Sequence, residues 1–153
     1  MPDLFTHFAS AYLPSRYQKF HQFDALLVLG AVLPDLISRI PILILVRLLD
    51  LPVVYFLRAL HTPIGLILVC YILSFLFERS MRFKSFLSLA VGSFLHLVLD
   101  LMQRQFFEGI YMPFVPFSIK TAQWGWFHYN ASLLVFPLLL VLVLFFWFRD
   151  QRK

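Results

Sequence analysis

The sequence predicts an all-α, polytopic membrane protein, a bundle of about four to five helices that forms one integral membrane domain over residues 1–153. Its composition leads to this prediction, because 61% of the residues are hydrophobic, only 14% are charged, and the mean hydropathy is +0.82. A soluble domain of this length needs more polar surface to cover its core. Long uncharged runs bounded by basic residues indicate that the apolar side chains face lipid instead.

Three runs are the predicted membrane spans. Residues 131–148 and residues 62–77 carry no charged side chain. Residues 85–102 form a third span, which contains His96 and Asp100. One helical crossing needs about 20 apolar residues, so each run approaches the required length.

Prolines and charged residues divide the first 60 residues into shorter segments. Residues 23–60 are apolar but interrupted by prolines and charges, which predicts one helix ending near Asp35 and a second, irregular or interfacial helix. These interruptions allow either one crossing or two before Thr62. Residues 1–22 are amphipathic and rich in aromatic side chains, and we expect them to lie at the membrane interface.

Basic residues predict the orientation. The loop at residues 78–84 and the tail at residues 149–153 are both basic, and two crossings separate them. The positive-inside rule places both in the cytoplasm, so residues 103–130 form an outer connection. We therefore expect a protein of the bacterial inner (cytoplasmic) membrane with a cytoplasmic C-terminus. The aromatic residues of the outer connection either form an interfacial belt or line a substrate groove; they are Trp124, Trp126 and Tyr129.

Charge and cysteine content exclude several classes of protein. The net charge is +5, but the basic residues lie in short clusters between apolar runs, so no nucleic-acid partner is expected. Cys70 is the only cysteine, which excludes an intrachain disulfide and a thiolate metal cluster. The first residues lack a basic segment followed by an apolar one, so we expect no cleavable signal peptide. Membrane lipid is the expected partner, and no protein partner is indicated.

The ionisable residues of the apolar runs need an explanation. An Asp at the centre of a membrane helix costs roughly 2.5–3.5 kcal/mol on insertion scales. His96 and Asp100 are four positions apart and share one helix face. From the helical rise, His96 lies about 18 Å, Asp100 about 24 Å and His61 about 25 Å from the cytoplasmic loop. In a hydrocarbon core of about 30 Å, all three lie toward the outer face and could meet.

A metal site would explain these residues together with Asp35. Two His and two Asp form a nitrogen and oxygen donor set that suits zinc or another divalent ion. Such an ion offsets the buried negative charge. With an open coordination position it would lower the pKa of a bound water and create a hydroxide nucleophile.

Simpler explanations exist for each residue taken singly. A lone intramembrane His is more often a hydrogen-bonded packing residue than a ligand. Asp100 can pair with Arg104, and Asp35 can pair with Arg39 one turn later. The placement of several such residues at one depth favours a site. The other histidines lie in interfacial segments, where a His needs no special explanation; they are His7, His21 and His128.

Several motifs occur in an order that resembles a known family. They are Thr6-His7, Gly-Ala-Val-Leu-Pro-Asp ending at Asp35, His61-Thr62-Pro63, the His96 to Asp100 pair, and Gly-Ile-x-x-Pro from Gly109 to Pro113. This order resembles the inner-membrane metal-dependent hydrolases, a family also described as LexA-binding. The resemblance implies a hydrolase that depends on a metal. A LexA partner would follow from the family's description alone.

The order of these residues is also similar to the ligand order of zinc-dependent phospholipase C and the P1-type nucleases. That similarity implies a phospholipase C/P1 nuclease-like helical core. Carried over, Asp35, His61, His96 and Asp100 would hold one metal. His7 would hold a second metal together with Asp100, or act as a general base. No His-x-x-x-Glu pair follows His96, so we expect one or two ions, zinc the first choice, rather than three.

Three functions remain open at this point. The first is a membrane-embedded metal-dependent hydrolase of a phosphoester in a lipid, lipid-linked or small-molecule substrate. The second is transport of an ion or proton, which the lack of polar residues in the cytoplasmic half of residues 62–77 speaks against. The third is a structural or assembly factor with buried polar pairs, which predicts no bound metal and tolerance of His96→Gln.

Overall fold

A computed structural model describes residues 4–16, 23–45, 48, 51–104, 113–118, 120, 122, 124–128 and 130–151. Its elements in chain order are α1 (Leu4–Ser15), α2 (Asp24–Pro34), a π-helical segment (Asp35–Arg39), α3 (Ile40–Leu45), α4 (Leu51–Leu60), α5 (Pro63–Ser74), α6 (Arg82–Met102), β1 (Gln103–Arg104), β2 (Phe127–His128) and α7 (Ala131–Gln151). The all-α prediction is confirmed, since the only strands described are β1 and β2, which pair in parallel. Some residues of the sequence analysis lie outside the described part of the chain; they are His21, Gly109 and Tyr129.

Among the described helices, three are long and apolar enough to cross a membrane. They cover Asp24–Ile44, Arg82–Met102 and Leu134–Gln151. Helices α4 and α5 meet the same criterion only as a pair, which is bent by 76° between Leu60 and Pro63. The described part of the chain thus has three helices that could cross a membrane, or four if the bent pair counts as one crossing. The predicted span at residues 62–77 corresponds to α5, the second arm of that pair.

The proline break in the first crossing is a change of helix type and not the end of the helix. The α-helical part ends at Pro34, near the predicted boundary, but the chain continues through the π-helical segment into α3. Pro34 has no N–H, so the carbonyl of Gly30 loses its usual helical donor. The hydroxyl of Ser93 on α6 donates to that carbonyl at 3.0 Å and replaces the missing bond.

Helices α2 and α6 form the centre of the bundle and run parallel. Gly30 and Gly92 lie where the two helices touch, and Asp35, five residues further along the first crossing, contacts His96, four residues further along α6, so residue numbers rise together. A Cβ atom at Gly30 or Gly92 would overlap backbone atoms of the facing helix. Small residues let membrane helices approach this closely. The close approach brings the second half of α2 against the part of α6 that carries His96.

A polar network joins three helix ends at one end of the bundle. Arg16, just after α1, donates to Asp150 near the end of α7 at 3.0 Å. Its guanidinium also lies 3.5 Å from Asp24 at the start of α2. Helix α1 packs against α2, α6 and α7, and its buried residues include His7. The predicted interfacial segment at residues 1–22 therefore contains a helix that is packed into the bundle.

Candidate metal centre

Five buried ionisable side chains meet inside the bundle. His7 comes from α1, Asp35 from the π-helical segment, and His61 from the turn between α4 and α5. His96 and Asp100 lie on one face of α6. None of the five is more than 8% exposed. All the site residues predicted from the sequence are thus brought together.

Asp100 is the centre of this cluster. Its Oδ1 lies 3.4 Å from Nε2 of His7, and its Oδ2 lies 3.0 Å from Nε2 of His61. The same Oδ2 is 3.5 Å from Nε2 of His96, which is itself 3.8 Å from Oδ1 of Asp35. Ligands held at about 2.0–2.2 Å from a tetrahedral zinc ion lie about 3.3–3.6 Å apart. The spacing of these atoms is close to that of a ligand set.

A backbone carbonyl fixes the tautomer of His96. Its Nδ1 lies 2.7 Å from the carbonyl oxygen of Ala31. A carbonyl can only accept, so Nδ1 carries the proton and donates it. This carbonyl is free of its usual helical bond, because the N–H of Asp35 donates to Val32. In the neutral ring, Nε2 therefore presents a lone pair to the carboxylates of the cluster.

The tautomer of His61 is fixed in a similar way. Ser38 donates its hydroxyl proton to the carbonyl of Pro34 at 2.7 Å. The Ser38 oxygen lies 2.9 Å from Nδ1 of His61, and with its proton already committed it accepts from that nitrogen. Nδ1 is also 3.3 Å from the Pro34 carbonyl, which again requires a proton on Nδ1. The lone pair of a neutral His61 at Nε2 then faces Asp100.

His7 has a different environment. Its ring stacks on His96 with centroids 3.7 Å apart and an angle of 22° between the rings. Neither of its nitrogens forms a hydrogen bond with the described residues. Burial lowers the pKa of His7 below its ordinary value, because the charged imidazolium would lose its hydration. A neutral imidazole keeps one nitrogen lone pair, which can bind a metal or accept a proton.

Donor atoms of the cluster form two overlapping groups that could hold an ion. One group is His7, His96 and Asp100, the other is Asp35, His61 and His96, and within each the ligand atoms lie within 4.8 Å of one another. His96 belongs to both, but its Nδ1 is committed to Ala31, so it can serve one ion only. Several of these buried donor atoms form no hydrogen bond with the described residues; they are His7 Nε2, Asp35 Oδ1, His96 Nε2 and Asp100 Oδ1. A cation among them would satisfy atoms that otherwise stay unpaired.

Comparison with known proteins places the chain in a family. A family model described as YdjM inner membrane protein matches residues 3–153. The chain belongs to the YdjM inner membrane protein family. No curated protein and no solved structure matches it. The expected inner-membrane location is thus supported, whereas the likeness to zinc-dependent phospholipase C and P1-type nucleases stays a prediction.

The simpler ion pairs, Arg39 with Asp35 and Arg104 with Asp100, do not replace the cluster contacts in this YdjM family member. Arg39 does contact Asp35, but it contacts Oδ2, at 3.7 Å. The other carboxylate oxygen, Oδ1, faces His96. Arg104 is exposed on β1, and Asp100 contacts the three imidazoles. His128 is exposed on β2 and belongs to neither donor group.

Sequence reasoning missed the groups that orient the ligands. They are the hydroxyl of Ser38 and the carbonyls of Ala31 and Pro34. A signal for Ser38 did exist, since a serine four positions after a proline can bond the carbonyl of that proline within a helix. Nothing in the sequence pattern points to the two carbonyls.

Proposed function

We propose that this chain is a membrane-embedded metal-dependent hydrolase that cleaves a phosphoester in a lipid or lipid-linked substrate. The observation that carries the proposal is the orientation of two buried imidazoles. His61 and His96 both use Nδ1 to donate to neighbouring oxygens, so both direct Nε2 at carboxylate oxygens. Lone pairs and carboxylates repel one another in an apolar interior unless a cation lies between them.

The donor set favours zinc. Asp35, His61, His96 and Asp100 would hold the ion, with two imidazole nitrogens and two carboxylates. Imidazole suits zinc and other transition metals, whereas calcium and magnesium prefer sites made only of oxygen ligands. Because His96 has one free nitrogen, we expect one ion per chain in this site. A second ion would bind through His7.

The chemistry follows from the metal and from the residues around it. When bound, a zinc ion would lower the pKa of the water that it holds and polarise a phosphoryl oxygen of the substrate. Asp35 and Asp100 balance the positive charge, while Ala31 and Ser38 hold the two imidazoles in one orientation. His7 is the candidate general base, because its ring is neutral, buried and in contact with Asp100.

The position of the cluster supports a substrate in the membrane. Along the first crossing, Asp35 lies about 17 Å from Asp24, and along α6, Asp100 lies about 27 Å from the start of the helix. With the basic loop in the cytoplasm, as the positive-inside rule predicts, the site lies in the outer half of the bilayer. A lipid or lipid-linked molecule is therefore the substrate class that this depth favours.

Metal content tests this proposal directly. Wild-type protein purified in detergent should carry about one zinc ion per chain by mass spectrometry, as one metal site predicts. Asp35→Ala and His96→Ala should abolish it. His128→Ala is the matched control, since it removes an exposed His outside the cluster and should retain the metal. A folded wild type that stays metal-free after zinc and manganese are added would refute the proposal.

Activity separates hydrolysis from transport. The zinc-loaded protein in lipid vesicles should release phosphate or a phosphorylated head group, and Asp35→Ala should abolish the release. Uptake of metal or protons into vesicles without any hydrolysis would instead support the transport alternative and contradict a hydrolase.

A further inference from the structure

Ser38 connects the backbone of the first crossing with a ligand of the candidate metal centre. It lies in the π-helical segment and is only 2% exposed. Its hydroxyl donates to Pro34 at 2.7 Å and accepts from Nδ1 of His61 at 2.9 Å. Both hydrogen-bonding roles of this hydroxyl are therefore used, one on its own helix and one on a residue that is distant in sequence.

The Pro34 carbonyl lies where the helix type changes, directly before the π-helical segment. In the π-helical segment the backbone bond pattern shifts by one residue, and the N–H of Ile40 donates to Asp35. The Pro34 carbonyl is then within reach of both the Ser38 hydroxyl and the His61 ring. π-Helical turns of this kind frequently occur at functional sites.

We propose that Ser38 is a positioning residue that holds His61 in the tautomer with an unprotonated Nε2. The hydroxyl cannot donate to His61 while it donates to Pro34, so it selects the ring form that carries its proton on Nδ1. In the opposite tautomer, a proton on Nε2 would bond Asp100, which lies 3.0 Å away, and that nitrogen could not bind a metal. The consequence for metal binding rests on the proposed function, whereas the tautomer itself does not.

The expected effect on metal affinity follows from other metal sites. Groups that orient a metal-ligating His typically change metal affinity by about 10–100-fold when they are removed. Loss of the Ser38 hydroxyl leaves only the longer contact of Nδ1 with the Pro34 carbonyl, at 3.3 Å, to favour the Nδ1–H form, so the Nε2–H form should become populated. A merely structural serine would change neither quantity.

A matched pair of variants tests the hydroxyl alone. Ser38→Thr and Ser38→Val have the same shape, but only threonine retains a hydroxyl, which can bond the carbonyl four residues earlier. The control is Ser74→Val, which removes a buried serine that donates to Tyr71 and lies outside both donor groups. If the branched side chains prevent folding, Ser38→Ala replaces Ser38→Val and is compared with wild type.

Two measurements are made on each variant. ¹⁵N NMR of His-labelled, metal-free protein reports the tautomer of His61, which is assigned from the signal missing in His61→Gln. Competition with a chelator reports zinc affinity. We expect Ser38→Val to populate Nε2–H and to bind zinc about 10–100-fold more weakly, while Ser38→Thr and Ser74→Val resemble wild type.

The outcomes distinguish this inference from the proposed function. If Ser38→Val and Ser38→Thr show the same His61 tautomer and the same zinc affinity, Ser38 has no positioning role. If wild type binds no zinc, the hydrolase proposal fails, but the NMR comparison still decides whether Ser38 controls the tautomer.

Discussion

Asp100 shows how contacts inside a bundle can compensate the cost of burying a carboxylate in a membrane helix. A buried carboxylate in lipid needs compensation, and this one contacts three imidazoles. Two of those rings use their Nδ1 proton elsewhere. The carboxylate is therefore compensated either by protons added to the rings or by a metal ion. Only the metal leaves the imidazoles neutral.

Asp100→Asn tests which of these compensations operates. The amide has nearly the shape of the carboxylate but no charge, so the variant should lose the metal. A ligand that binds only the folded state at 100 times its Kd stabilises it by about 2.7 kcal/mol. Added zinc should therefore raise the midpoint of thermal unfolding of wild type and leave that of Asp100→Asn unchanged, as measured by fluorescence in detergent. Equal increases in both proteins would mean that zinc binds elsewhere.

The cluster residues could be predicted from the sequence, but the contacts that orient their imidazole rings could not. Helical rise and the four-residue spacing of His96 and Asp100 place charged groups at one depth, where each needs a partner. The role of Ser38 depends instead on the direction of a single carbonyl. That direction depends on the π-helical register, for which the hydrophobic pattern has no signal.

At the scale of elements, the contact between α2 and α6 positions the site. Gly30 and Gly92 allow the two backbones to touch, and the Ala31 carbonyl then reaches His96. Pro34 was expected to end the helix, because proline removes a backbone donor. The helix continues since Ser93, on the neighbouring helix, supplies a donor to the carbonyl left without one. A hydrogen-bond donor that another helix supplies cannot be predicted from the sequence around Pro34.

Gly92→Ala should separate the two helices and disturb the metal site. The added Cβ would overlap the Leu27 carbonyl, and backbone atoms cannot move aside as a flexible side chain can. Overpacking of this kind typically costs about 1–3 kcal/mol. We expect a lower thermal midpoint and weaker zinc binding, measured by fluorescence and chelator competition.

Val91→Ala is the matched control for this variant. Val91 is adjacent on α6 but 43% exposed, so its truncation should change little. If Gly92→Ala binds zinc as tightly as Val91→Ala does, the close approach of the helices does not position the cluster.

At the scale of the whole molecule, the polar network around Arg16 orders the helix ends. It holds the start of α2 and the end of α7 together, and the parallel packing of α2 and α6 brings the start of α6 to the same end. The sequence left open whether one or two crossings precede Thr62. Arg16, Asp24 and Asp150 are far apart in the chain, so the hydropathy of each segment gives no indication of their contact. The basic loop before α6 and Arg149 near the end of α7 consequently share one end of the bundle.

The orientation of this bundle in the membrane decides which leaflet can supply the substrate. Ser80 is exposed in the loop before α6, and Lys120 is exposed in the connection that follows it. The N–H groups of Trp124 and Trp126 donate to the carbonyls at the end of α6, which places that connection at the opposite end from Ser80. If the basic end lies in the cytoplasm, as the positive-inside rule predicts, Lys120 lies outside.

Labelling of single cysteines with a membrane-impermeant maleimide tests this orientation. In spheroplasts, Lys120→Cys should react, whereas Ser80→Cys should react only after lysis. The native Cys70 is buried and provides the unlabelled background. The reverse pattern would place the C-terminus outside and the cluster in the inner half of the bilayer, so the substrate would have to come from the inner leaflet. Reaction of both positions from one side would contradict the arrangement of α6 as a full crossing.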